Sequence, residues 1–127
     1  MAVTATPIYP QSGATETAQL TVSDGTTETA NLFAGTTNGK LIREIRITSG
    51  GTVSPRTGSK LLLTVHNGTN SRILQPVTLP GGVNEIQTVL VFSHLFLPSS
   101  SYAIRAQMVE TLPSGCTLDI VCMSDIF

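Results

Sequence analysis

The two histidines of this 127-residue sequence, His66 and His94, are the residues best suited to acid–base catalysis, because imidazole titrates near neutral pH. His66 precedes an Asn-Gly turn dipeptide, which predicts a polar side chain beside a turn. His94 stands between Phe92 and Phe96, which predicts a partly buried, hydrogen-bonded histidine. Serine and threonine make up about a quarter of the chain, so a hydroxyl close to a histidine would not by itself identify a nucleophile. The sequence therefore predicts that the protein is not an enzyme.

Metal-binding and phosphate-binding motifs are missing from the sequence. Neither histidine nor cysteine occurs at the spacing of zinc ligands, and residues 24–28 are too short and too poor in carboxylates for a calcium loop. The glycine pairs at 50–51 and 81–82 lack the lysine and serine of a P-loop, so they indicate turns. We expect no metal and no cofactor.

Cys116 and Cys122 fall in one predicted strand, which places them roughly 20 Å apart, whereas a disulfide needs Cα atoms about 4.4 to 6.8 Å apart. Both are expected to be free thiols in the core, in keeping with synthesis in a reducing compartment. The first ten residues lack the basic and apolar regions of a secretory signal, and no apolar run approaches the roughly 18 residues of a membrane span. We expect a soluble protein made in a cytoplasm, with no membrane partner.

Charge is distributed unevenly along the chain. Residues 1–39 carry −3, residues 40–72 carry +5 and residues 73–127 carry −3, which sum to the net charge of −1. Either these opposite charges meet within the fold, or the central third forms a basic patch that docks on an acidic surface. A pI near 6.0 and only two tyrosines argue against nucleic acid as the partner. The candidate partner contacts are Tyr9, Lys40, Arg43, Arg46, Arg56, Lys60 and Arg72.

Short runs of β-branched and aliphatic residues alternate with Gly, Pro, Asn and Ser turns, a texture typical of strands. The predicted strands are residues 17–22, 29–34, 41–48, 60–66, 71–77, 85–93, 102–108 and 116–123, after an extended N-terminal arm of residues 1–16. About eight strands in one domain of residues 17–127 predict an all-β fold, a two-sheet antiparallel sandwich of jelly-roll type.

The same pattern predicts hairpins, the position of two strands in their sheets, and the residues that share one face of a strand. Asp24-Gly25 predicts a hairpin between the first two strands, and the Asn67-Gly68 turn predicts one between residues 60–66 and 71–77. Pro76 and Pro80 predict that the strand at 71–77 is an edge strand or ends early. Residues 85–93 are apolar on both faces, which favours a central strand covered on both sides. In residues 41–48, simple alternation places Leu41, Ile45 and Ile47 on one face.

Three segments, in this order and spacing, resemble a family of small tailed-phage virion structural proteins. They are Ile-Arg-Glu-Ile-Arg-Ile within residues 41–48, Leu-Thr-Val-His-Asn-Gly-Thr at 63–69, and Leu-Phe-Leu-Pro followed by Ser-Tyr-Ala-Ile-Arg-Ala within 95–106. Ser101 stands where relatives commonly have glycine, and the cysteine-bearing strand is not a mark of the family. The resemblance covers roughly residues 32–108 and implies a particle component without catalytic residues.

Within that family, the resemblance favours a head-decoration or cement protein that clamps capsid subunits, often as a homotrimer. The partner would be the major capsid protein or another virion protein, and the location the virion, after synthesis in the host cytoplasm. Residues 1–16 are expected to latch onto a neighbouring subunit. The alternatives are a tail or fibre component involved in host attachment, and a carbohydrate-binding jelly-roll module that would use Tyr9 or Tyr102 to stack on sugar rings.

Overall fold

The structure is a computed structural model that describes residues 12–79, 81–83 and 85–127. These residues form eight β-strands and one short 3-10 helix, Val22–Asp24. The strands are β1 (Ser12–Leu20), β2 (Phe33–Ala34), β3 (Lys40–Gly51), β4 (Lys60–His66), β5 (Ser71–Thr78), β6 (Ile86–Leu97), β7 (Ala103–Met108) and β8 (Cys116–Ile126). No helix in these residues is long and apolar enough to span a bilayer.

The strands form two antiparallel four-stranded sheets, which we call sheet I (order β1-β8-β3-β6) and sheet II (order β2-β7-β4-β5). The chain changes sheet at every connection between strands except the β4–β5 hairpin. This strand order is that of a jelly roll, in which two Greek keys pack face to face. The predicted two-sheet sandwich of jelly-roll type is confirmed.

The core lies between the sheets, because alternate residues of each strand point inward. In β8, for example, Leu118, Ile120 and Cys122 are fully buried, while the residues between them are only partly covered. Both cysteines are free and buried, as predicted from their spacing. The largest buried side chain, Phe33, comes from the two-residue strand β2.

A β-bulge changes the face assignment in β3. Arg43 is skipped in the pairing of β3 with both β6 and β8, so the strand turns its faces over at this residue. Ile42 therefore points into the core with Ile45 and Ile47, whereas Leu41 stays partly exposed. The alternation that grouped Leu41 with the two isoleucines was wrong because a regular period of two cannot anticipate a bulge.

The N-terminal part of the chain departs most from prediction. Residues 12–16, assigned to the arm, are the beginning of β1, and residues 1–11 lie outside the described residues. Asp24-Gly25 does not join a hairpin, because β1 and β2 belong to different sheets. Of residues 29–34, only the last two form a strand.

The edge strands were predicted with mixed success. The β4–β5 hairpin and the edge position of β5 are confirmed, and Asn67 Oδ1 accepts hydrogen bonds from the backbone N–H groups of Thr69 and Asn70 within the turn. Strand β6, expected in the centre of a sheet, is the edge of sheet I. His94 in this strand is exposed rather than partly buried, and its Nδ1 lies 3.0 Å from Ser93 Oγ.

Candidate interaction surface

The described residues enclose no ligand-sized cavity, and they hold no group of three or more His, Cys, Asp or Glu side chains placed to bind a metal ion. Polar clusters and exposed surfaces are the features of the described residues that could take part in a function.

A serine and a histidine do meet on sheet II, but in an order unlike a catalytic triad. Ser71 Oγ lies 2.9 Å from His66 Nδ1 and donates a hydrogen bond to Glu28 Oε1 at 2.8 Å. In a triad the histidine stands between the hydroxyl and the acid, so that it can take the hydroxyl proton. Here the carboxylate binds the serine directly, which leaves His66 without an acid to orient it.

Glu28 is instead the centre of a structural cluster. Besides Ser71, its carboxylate accepts hydrogen bonds from Thr64 Oγ1 at 3.0 Å and Arg105 Nη1 at 3.2 Å. Desolvation by burial pushes the pKa of Glu28 upward, but the hydrogen bonds from Ser71, Thr64 and Arg105 and the arginine charge outweigh it, so the pKa lies below its usual value. The cluster fixes the segment that precedes β2 onto sheet II. No local signal in the sequence indicated it, because Arg105 is 77 residues from Glu28.

Most cations of the central third are paired with acids within the fold. Arg43 Nη2 lies 2.6 Å from Asp125 Oδ2, Arg56 Nη1 lies 3.5 Å from Glu110 Oε2, and Arg46 Nη2 lies 3.6 Å from Glu44 Oε2. The first two acids come from the C-terminal third of the chain. The structure thus favours the interpretation in which the opposite charges of the three thirds meet within the molecule.

Lys40 is buried and cannot serve as a surface contact. Its side chain points into the end of the sandwich, where Nζ forms an ion pair with Glu16 of β1 and donates a hydrogen bond to the Ala34 carbonyl at 2.6 Å. The nearby thiol of Cys122 has its pKa raised to about 12, mainly by burial and further by the Glu16 charge, with Lys40 acting in the opposite direction. This thiol is therefore protonated and unreactive near neutral pH.

The remaining candidate contacts do not form one patch. Lys60 and Arg72 are exposed and make no ion pair with any residue that the structure describes. Lys60 begins β4, whereas Arg72 pairs with Val65 near the other end of that strand, a separation of roughly 17 Å along the strand. Tyr9 lies outside the described residues. Arg43 and Arg46 remain as exposed cations on sheet I.

The most distinctive exposed feature is apolar, and we call it the β6 patch. It consists of Ile86, Val89, Val91 and Phe96, which are 57%, 40%, 77% and 45% exposed. The twelve residues of β6 include no proline and no Asp, Glu, Lys or Arg. The apolar composition of both faces was visible in the sequence, but it was explained by burial within a sheet instead of exposure at its edge.

Comparison with known proteins gives a likeness in fold but none in sequence family. No family model matches the chain, and no curated protein matches it. A chain of the acidic stable capsid structure of Helicobacter pylori bacteriophage KHP30 aligns with a TM-score of 0.65 and 8% identity, covering 93% of this chain and 90% of that chain. A chain of the cyanophage Pam1 capsid asymmetric unit aligns at a TM-score of 0.45 and 12% identity, over 99% of this chain and 94% of that chain.

The protein is thus a jelly-roll β-sandwich, and it shares this fold with a chain of a phage capsid structure. The resemblance to phage virion structural proteins, predicted from three sequence segments, is confirmed at the level of the fold.

Proposed function

We propose that this protein is a non-enzymatic capsid decoration or cement protein that binds the head of a tailed phage and stabilises its shell. The observation that carries the proposal is the fold match to a chain of the KHP30 capsid structure, which extends over nine-tenths of both chains. Its partner is the major capsid protein or another virion protein, and its location is the virion.

The character of the surface supports this role. Charged residues make up 12% of the chain, and most cations of the central third are already neutralised by acids of the same molecule. Because so few side chains are charged, another subunit can cover much of this surface without desolvating an ion.

Contacts to the shell fall to the exposed candidates. The candidate cations available at the surface are Arg43, Arg46, Arg56, Lys60 and Arg72, whereas Lys40 is buried. Residues 1–11, including Tyr9, are the part of the predicted arm that lies outside the described residues, and we assign the latch to them. The resemblance implies a homotrimer, which the mass of the protein in solution tests.

Co-sedimentation of the purified protein with emptied heads of the phage that encodes it tests the proposal. We expect saturable binding that raises the temperature at which the heads disassemble. A variant lacking residues 1–11 should bind in fewer copies per head. The unchanged melting temperature of that variant serves as the control for folding. Binding to isolated tails in place of heads would overturn the assignment in favour of a tail or fibre component, and binding to neither would reject a virion role.

A further inference from the structure

The two edge strands on the same side of the sandwich differ in how they are protected against pairing with another strand. Strand β5 carries Arg72 and Pro76, and charged residues and proline are the usual devices that block an exposed edge. Among the residues that the structure describes, strand β6 pairs only with β3, and its twelve residues carry neither device. Irregular pairing with β3 flanks residues 88–91, which leaves this segment as the regular part of an open edge.

The side chains of this regular segment are suited to contact with a partner. Val91 is the most exposed large apolar residue that the structure describes, at 77%, and Val89 is 40% exposed on the same face. Leu90 points toward the core between them. Two exposed valines beside an unpaired backbone edge offer both main-chain hydrogen bonds and apolar area to an added strand.

We propose that β6 pairs with β6 of a second copy, antiparallel and about a two-fold axis that passes through Leu90. In this register Val89 of one copy lies directly opposite Val91 of the other, and the two valine pairs flank the axis. The contact is isologous, so the same patch closes on itself without leaving a free edge at this position. The pairing joins the two copies of sheet I into one eight-stranded sheet.

The charges next to β6 favour this register over its neighbours. On β3, Glu44 pairs with Val91 and Arg46 pairs with Val89. With the axis at Leu90, four residues therefore lie side by side in a row across four neighbouring strands. They are Arg46 and Val89 of one copy, followed by Val91 and Glu44 of the other. An axis at Val91 would place the two Glu44 side chains in one row, and an axis at Val89 would do the same for the two Arg46 side chains.

Only the proposed register matches opposite charges, which are roughly 14 Å apart at the backbone and closer at the ends of their long side chains. No charge of β6 itself opposes its own copy, because β6 has none. This pairing does not depend on binding to a phage head.

Light scattering coupled to size-exclusion chromatography over a dilution series tests the pairing. We expect a mass of twice 13.4 kDa for the natural chain. Val91→Lys places a solvated charge in the contact and is expected to weaken the dimer about tenfold or more. The matched control is Ile73→Lys, which introduces the same charge at a 61% exposed apolar position of the protected strand β5 and leaves the dimer intact.

Cysteine cross-linking tests the register. A mixture of Val89→Cys and Val91→Cys chains should form a disulfide-linked dimer, because directly opposite residues have Cα atoms about 4.5 to 5.5 Å apart. Each variant alone should cross-link poorly, since diagonal neighbours are about 7 to 8 Å apart. The native cysteines are buried and do not compete.

A monomer at every concentration, a trimer, or equal loss of the dimer in both lysine variants would overturn the proposal. A monomeric protein whose Val91→Lys variant fails to bind heads would likewise overturn it, because β6 would then be covered by a shell subunit. Head binding that fails while the dimer persists would reject the proposed function and leave the pairing intact.

Discussion

The ion pair between Glu16 and Lys40 joins the first strand of sheet I to β3 across β8. The two partners are unequally buried, since the Lys40 side chain is 4% exposed and the Glu16 side chain 33%. Removing either charge leaves the other unpaired, and the cost is larger when the remaining charge is the deeper one. Removing the Glu16 charge is therefore expected to lower stability more than removing the Lys40 charge.

We expect Glu16→Gln to lower the free energy of unfolding by about 3 kcal/mol, because the Lys40 ammonium is left buried with only the Ala34 carbonyl. Lys40→Met should cost about 1–2 kcal/mol, since Glu16 can be hydrated. The double variant should be more stable than Glu16→Gln alone. Urea unfolding of the three variants measures these differences, and a smaller effect for Glu16→Gln than for Lys40→Met would contradict the asymmetry.

We expect the free energy of unfolding to depend on pH through the Glu28 carboxylate. Its pKa in the folded state is below the usual 4.5, so the carboxylate contributes stability that is present above the unfolded value and is lost as the pH falls through the folded value. We expect Glu28→Gln to be about 1–3 kcal/mol less stable than the natural chain at neutral pH. The difference should shrink as the pH is lowered below 4.5.

Thermal unfolding across that range checks the Glu28 prediction. Glu85→Gln is the matched control, because it makes the same substitution at an exposed glutamate. A stability difference between Glu28→Gln and the natural chain that stays constant from neutral to strongly acidic pH would show that the carboxylate does not act through its charge.

Residue-scale predictions from the sequence succeeded where a local pattern decides the outcome. The burial of Cys116 and Cys122 followed from the alternation of a single strand. The burial of Lys40 could not be foreseen, because it depends on β1 bringing Glu16, 24 residues away, to the same end of the sandwich. A lysine in a sequence ordinarily indicates an exposed position.

Among the elements, β6 shows the limit of pattern recognition most clearly. A strand with apolar residues on both faces is typical of a covered central strand, but the same pattern occurs at an edge that is covered by another subunit. The local pattern does not distinguish these cases, because the position of a strand in its sheet depends on pairing with residues far away in the chain. The β4–β5 hairpin was predictable because its turn residues and its proline act locally.

The turn before β3 supplies a test at the same scale. Gly39 and Gly58 both have positive φ, at 105° and 82°, but a Cβ at Gly58 would meet open space, whereas a Cβ at Gly39 would overlap the Phe96 ring. We expect Gly58→Ala to cost about 1 kcal/mol from backbone strain alone. Gly39→Ala should cost at least about 2 kcal/mol, because the ring must move as well.

Chemical denaturation of the two alanine variants compares these costs, with Gly58→Ala as the control for strain without contact. Equal destabilisation would mean that Phe96 does not rest on Gly39. Since Phe96 belongs to the β6 patch and its ring also packs edge-on against Phe127 at a centroid distance of 5.8 Å, Gly39→Ala should in addition alter that part of the surface.

For the whole molecule, the sequence predicted the architecture better than the surface. The number of strands, the two sheets and the jelly-roll arrangement followed from strand periodicity and turn chemistry. The charge segregation of −3, +5 and −3 along the chain disappears in three dimensions, because ion pairs such as Arg43–Asp125 and Arg105–Glu28 join distant thirds. The basic patch inferred from counting charges along the chain therefore does not form, because strands from different parts of the chain lie side by side.

The position of β8 also has a consequence for synthesis. This strand is the last of the eight and lies between β1 and β3, pairing with both along almost its entire length. While the ribosome is still translating the segment before β8, β1 and β3 have no common neighbour, and sheet I stays open on both sides of the gap. Sheet I therefore cannot be completed until β8 has been synthesised, so burial of the core is delayed to the end of translation of this domain.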